Sequence, residues 1–132
     1  MQVAIYGPLR KDGKLKEKLK EAVYLGQFNS EPEFNMFKVS KNEPCVTLDG
    51  RTSIVMDVYR MSKEQLATIV EPTKHIKKNV VGKGNKYLRK VINTPYGKSI
   101  LYYYNNNTAK LKQLANGDWV EYKKMTSIEN YL

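Results

Sequence analysis

The stretch that decides the fold is Val3-Ala4-Ile5 running straight into Tyr6-Gly7-Pro8-Leu9-Arg10. Two β-branched residues around a small one make a short strand, and Gly7 and Pro8 end regular pairing, so a loop opens at the strand's C-terminal end. Working outward, Leu15, Leu19 and Val23 recur every four residues, which predicts a helix over residues 13–23. Lys14, Lys16, Lys18 and Lys20 fall largely on its other sides, and Gly26 closes the unit.

Short strands follow. Phe34 and Met36, with Lys38, share one side of a strand whose other side carries Asn35 and Phe37. Cys45-Val46-Thr47-Leu48 reads as the next strand, ended by Asp49-Gly50, and Ile54 through Tyr59 is rich in β-formers. Ser62-Lys63-Glu64-Gln65 matches a capping box, and Leu66, Ile69 and Val70 give the buried stripe of a helix that Pro72 stops. Residues 73–86 read as a basic loop. Tyr87–Ile92 and Ser99–Tyr104 read as strands joined through Asn93-Thr94-Pro95-Tyr96-Gly97, whose proline and glycine suit a hairpin. Asn105–Asn107 is a polar loop, Asn116-Gly117-Asp118 a turn, and Thr126 to Glu129 a cap for a last short helix. Strands in hairpin-like series with two or three helices make an α+β class, with a curled or barrel-like sheet. No internal repeat or low-complexity tract divides residues 1–132, so they are read as one domain.

The chain carries 23 Lys+Arg against 13 Asp+Glu, a formal charge of +10. That balance favours polyanions through a field that salt weakens, although a lysine-rich surface serving solubility alone gives the same count. Cys45 is the only cysteine and His75 the only histidine, which excludes an internal disulfide and a multi-cysteine zinc site. No metal and no cofactor is expected. No apolar run approaches the ~20 residues of a membrane-spanning helix, and the first residues lack the basic start of a secretory signal. The expected compartment is the cytoplasm, without membrane insertion.

The opening strand and Tyr6-Gly7-Pro8-Leu9-Arg10 resemble the strand-loop signature of the gamma-glutamylcyclotransferase-like superfamily. Further matches follow in order. Tyr24-Leu25-Gly26-Gln27-Phe28 resembles the segment after the family's first helix. Phe34-Asn35-Met36-Phe37 with Glu43-Pro44-Cys45-Val46 resembles the next strand and its proline turn. Asp57-Val58-Tyr59 resembles the following strand, with Met56 where glycine is usual. Tyr87-Leu88-Arg89, Thr94-Pro95-Tyr96-Gly97, Tyr102-Tyr103-Tyr104 and Gly117-Asp118-Trp119 are similar to the small bacterial YtfP-like branch. The resemblance implies a small mixed β-barrel with packed helices, and a ligand cavity at the Tyr-Gly loop for a gamma-glutamyl or other anionic amino-acid-like molecule. In active relatives, loop amides hold that group while one carboxylate moves protons and 5-oxoproline is released.

By the same resemblance, the catalytic glutamate falls at Thr73, whose hydroxyl is no base near neutral pH. Glu71 lies two residues early, a rotation of about 200° on an α-helix. The resemblance therefore implies the fold and the loop without implying turnover. Pro8 removes one N–H donor from that loop, leaving the amides of Gly7 and Leu9. Candidate ligand contacts are Tyr6, Gly7, Pro8, Leu9, Arg10, Tyr87 and Tyr104, with Tyr59, Tyr102 and Tyr103 as comparable phenols and Asp57 as another carboxylate. For each tyrosine, a core position with a satisfied hydroxyl is the alternative. From Lys74 to Lys90 the chain also holds Lys77, Lys78, Lys83, Lys86 and Arg89 without an acidic residue between. Those seven cations are read as a contact surface for nucleic acid or an acidic protein, or else as a solvated loop. In the first reading the fold serves as a non-catalytic binding or inhibitory module.

Overall fold

A computed structural model describes residues 1–74 and 86–129. Its strands are β1 (Gln2–Ile5), β2 (Val23–Asn29), β3 (Phe34–Ser40), β4 (Glu43–Leu48), β5 (Val55–Arg60), β6 (Tyr87–Thr94), β7 (Gly97–Tyr104) and β8 (Lys112–Leu114). One sheet runs β2-β5-β1-β7-β6 and a second runs β4-β3-β8. The single parallel contact is β1 with β7, in register at Val3 and Ile100; the other pairs are antiparallel. β1 is apolar at consecutive positions because both its faces are covered. Val3 and Ile5 enter one apolar cluster with Leu9, Leu66, Val70 and Tyr102, whereas Ala4 and Tyr6 enter another with Met36, Met56, Leu101 and Trp119.

The α+β class holds, but the sheet does not close into a barrel. β4 and β6 are both sheet edges. They meet at one end without pairing as strands, where the Tyr87 hydroxyl donates to Glu43 Oε2 at 2.8 Å and to the Pro44 carbonyl at 3.2 Å. Farther along, a cleft of about 920 Å³ opens, with Leu48 and Asp49 from the β4 side and Ile92 and Asn93 from β6 on its walls.

The helix expected over 13–23 is instead one 3₁₀ turn, Lys16–Leu19. The preceding segment is spent on turns, Gly13 N–H bonding the Arg10 carbonyl and Leu15 N–H the Pro8 carbonyl. Val23 is then taken by β2, opposite Arg60. A helix of that length is marginal without a packed face, so the strand pairing wins. Gly26 closes nothing: it sits inside β2 at a bulge with φ +152°, and a Cβ there would fall 2.2 Å from the Tyr96 hydroxyl. The β6–β7 hairpin forms as expected, its strands running on to Thr94 and Gly97.

The capping box forms in full, Gln65 N–H on Ser62 Oγ at 3.1 Å and Ser62 N–H on Gln65 Oε1 at 2.9 Å. The segment it starts, 63–73, is α-helical at Lys63–Gln65, π-helical at Leu66–Val70 and α-helical again at Glu71–Thr73. It is treated below as α1. Pro72 does not stop it. The ring lacks an N–H for the Thr68 carbonyl and would press on it, and the wider turn, with Glu71 N–H on the Leu66 carbonyl, relieves that conflict.

The last helix, α2 (Trp119–Glu129), starts earlier than the expected cap at Thr126, whose hydroxyl simply bonds back to the Tyr122 carbonyl. Asp118 caps it, Oδ1 accepting from Glu121 N–H at 3.1 Å and from Arg10 Nη1 at 2.6 Å. Burial raises the Asp118 carboxyl, but the Arg10 bond and the Glu121 amide outweigh it and hold the group below its ordinary range. Asp118→Ala should lower stability by about 2 kcal/mol, from the lost cap and the uncompensated guanidinium, as a fall in urea midpoint at unchanged slope. Because the folded-state value is depressed, this stability is present above about pH 4 and is lost as pH falls further. Asp118→Asn should flatten that acid limb in a pH series of melts.

Candidate functional site

The loop after β1 is built by its neighbours. The Tyr6 ring is buried, and its hydroxyl donates to the Tyr102 carbonyl at 2.8 Å, stitching the loop to β7. Arg10 N–H returns to the Gly7 carbonyl at 3.0 Å. Among the described residues, neither Gly7 N–H nor Leu9 N–H donates a backbone hydrogen bond. Tyr6, Gly7, Pro8 and Leu9 line a cavity with Val70 and Thr73 from α1, Lys74 directly after it, and Tyr102 from β7. Its volume is about 20 Å³, room for about one water.

The charged group at this cavity is a cation. The Lys74 ammonium lies 3.3 Å from the Tyr6 hydroxyl, 4.3 Å from the centre of the Tyr6 ring and 4.7 Å from that of Tyr87. Desolvation lowers Lys74 to about 8, with Lys86 adding to the effect and Glu43 and Cys45 opposing it. No Asp or Glu is among the described residues that line the cavity. Burial raises the Tyr6 and Tyr87 phenols, so both remain neutral donors. Burial likewise pushes the Cys45 thiol up to about 12, and an inert thiol results.

Thr73 lines the cavity too, with its hydroxyl donating to the Val70 carbonyl at 2.6 Å. Glu71 reaches the site through a neighbour. The π turn sets it over Leu66, on the buried side, where its Oε2 accepts from the Tyr102 hydroxyl at 2.9 Å and from Arg89 Nη2. Tyr102 thus stands between this carboxylate and the cavity it lines.

Other candidates are placed elsewhere. Arg10 is turned away from the cavity: Nη1 pairs with Asp118, and Nε lies 3.5 Å from Asp57. Asp57 is fully buried and not in the cavity wall; it accepts from Lys11 N–H at 2.8 Å and Gln27 Nε2 at 3.1 Å. Tyr87 touches the site only through Lys74, and Tyr104 stacks edge-on against Tyr87 at 5.4 Å. Of the seven cations of the basic segment, Lys74 points inward, Lys86 pairs with Glu43 at 3.0 Å and Arg89 pairs with Glu71. Lys90 is exposed, while Lys77, Lys78, Lys83 and the lone His75 lie outside the described residues. Sequence reasoning missed the inward lysine; its only signal was its place directly after the Pro72-Thr73 helix end. The described residues hold no group of acidic, histidine or cysteine side chains suited to a metal. No helix among them is long and apolar enough to cross a membrane.

Similarity to known proteins is continuous. No family model matches the chain. The Escherichia coli K12 gamma-glutamylcyclotransferase family protein YtfP is 26% identical over 124 residues, covering 94% of this chain and all of that one. The solution structure of Escherichia coli YtfP superposes with a TM-score of 0.69 at 27% identity, over 92% of this chain and 98% of the other. The crystal structure of the uncharacterized protein PH0828 from Pyrococcus horikoshii shares the fold, with a TM-score of 0.71 at 24% identity over 96% of each chain. Along nearly its whole length, this chain is similar to gamma-glutamylcyclotransferase family proteins of the YtfP-like branch.

Proposed function

We propose that the protein binds a small anionic, amino-acid-like ligand of the gamma-glutamyl class at the Tyr6–Leu9 loop, without the family's carboxylate-driven cyclisation. The observation that carries this reading is the Lys74 ammonium beside the Tyr6 hydroxyl, in a wall without an acidic side chain among the described residues. A cation there suits a ligand carboxylate, while the Gly7 and Leu9 amides suit its γ-carbonyl. Cyclisation requires a base to take a proton from the ligand's α-amine, and an ammonium is a donor only. Because the cavity now holds about one water, binding requires the Lys74 chain to swing aside and re-form its pairing on the ligand.

A second reading has its own observation: the π turn carries Glu71 onto Tyr102, and Tyr102 lines the cavity. In that reading Glu71 works through the phenol as the proton-transferring group of a gamma-glutamylcyclotransferase. Incubation with gamma-glutamyl amines and dipeptides, followed by assay for 5-oxoproline, separates the two. Saturable calorimetric binding without 5-oxoproline is expected. Turnover that vanishes in Glu71→Gln would establish the second reading and overturn the first.

Lys74 also sets a pH signature. Its ammonium discharges near pH 8, so affinity should fall about tenfold per pH unit above that value. Lys74→Arg should hold its affinity to about pH 10, and Lys74→Met should lose about tenfold or more at pH 7. Folding stability runs in the opposite sense. The unfolded chain keeps this proton to about pH 10.4, so the contribution of Lys74 to stability rises between pH 8 and that point. A binding curve flat from pH 7 to 9.5 would remove Lys74 from the site.

A further inference from the structure

We propose that a second pocket, between the segment that follows the Tyr6–Arg10 loop and the helix α2, binds a compact phosphate-bearing ligand through Lys14, Lys123 and Lys124. This site shares only Pro8 with the described lining of the cavity at Tyr6 and does not depend on the reading given to that cavity. Its volume is about 240 Å³, and Trp119 and Val120 line it together with Asn42 and Ser127. On α2 the residues Val120, Lys123, Lys124 and Ser127 recur at helical spacing and present one face. The wall across from them comes from Lys14 and its neighbours, and Asn42 from the β3–β4 turn.

Among the described residues of its wall, the pocket sets three lysines against one carboxylate. Lys123 Nζ donates to the Lys41 carbonyl at 2.9 Å and stands 5.6 Å from the Trp119 ring, which fixes it at the wall. Burial first, then Lys38, Lys41 and Lys14, lower the Lys123 ammonium. Lys38 and Lys112 flank the neighbouring Tyr122 ring at 5.9 and 5.8 Å. The one carboxylate among the described residues of the wall is Asp12. Lys38, Lys41 and Lys14 repel the Lys123 ammonium, and a multiply charged anion relieves that repulsion.

Three features select phosphate and a small ligand. Lysines are compact point charges that suit a phosphoryl group, and the described wall contains no arginine to fork onto a carboxylate. Ser127 and Asn42 add neutral donors for further oxygens. A volume of about 240 Å³ holds a compact ligand, and Trp119 is only 2% exposed, so it offers no platform for stacked bases.

Calorimetry with pyrophosphate at fixed ionic strength tests this, using the full chain, Lys14→Ala, Lys123→Ala and a remote control, Lys98→Ala. Saturable binding is expected, weakened about tenfold or more in each pocket variant and unchanged in the control. Thermal melts verify that the variants fold; if Lys123→Ala does not, Lys14→Ala and Lys124→Ala carry the comparison. Citrate should bind at least about tenfold more weakly than pyrophosphate. Equal citrate affinity would show a field that does not distinguish anions and would overturn the phosphate assignment. Absence of saturable binding, equal loss in Lys98→Ala, or tighter binding of a single-stranded oligonucleotide through the same lysines would overturn the proposal outright.

Discussion

Asp57 is a carboxylate with no exposure to water, and the loop that faces the cavity depends on how it is satisfied. A buried charge persists only where donors and counter-charges surround it. Lys11 N–H supplies one bond at the end of the loop, Gln27 another from β2, and Arg10 the opposing charge. Arg10 continues to Asp118, so loop, central sheet and α2 are held by one network. The same demand removes Arg10 from ligand chemistry. A guanidinium committed to two carboxylates inside the protein has little left for a third outside it.

With Arg10 withdrawn, the charge at the cavity is set by α1. Its capping box and its buried residues Leu66 and Val70 fix where the helix begins and which face packs, and the wide turn over Leu66–Val70 accommodates Pro72. The outcome is a division of labour along four residues: Glu71 reaches β7 through Tyr102 and β6 through Arg89, whereas Lys74 reaches the loop through Tyr6. The fold is shared with the YtfP-like proteins, but fold similarity does not fix what a cavity does. The sign of the charge beside the Tyr-Gly loop is a property of this chain's own residues.

Much of the fold was legible because its signals are local. The β1 run, the Ser62/Gln65 pair and the Pro95–Gly97 hairpin turn each carry their own geometry, and each appears where it was expected. What failed was what distant partners decide. β2 was hidden because a four-residue spacing suggested a helix up to Val23 and Gly26 looked like its terminator, whereas pairing with β5 overrides both. β8 is three residues long and exists through Met36, Phe37 and Lys38 on β3. The α2 cap was present in sequence as Asp118 followed three residues later by Glu121, a pattern masked by the turn-like Asn116-Gly117 before it. At the site, residue types and the loop itself were readable, but the inward aim of Lys74 arises from packing between Tyr6 and Tyr87.

The wide turn of α1 has a consequence for how this chain is compared with its relatives. A π turn behaves as a one-residue insertion that leaves no visible gap in an alignment. Counting across residues 66–71 as though the helix were regular pairs each later side chain with one that faces another way. Residue-by-residue comparison across this segment therefore needs three-dimensional position rather than column number.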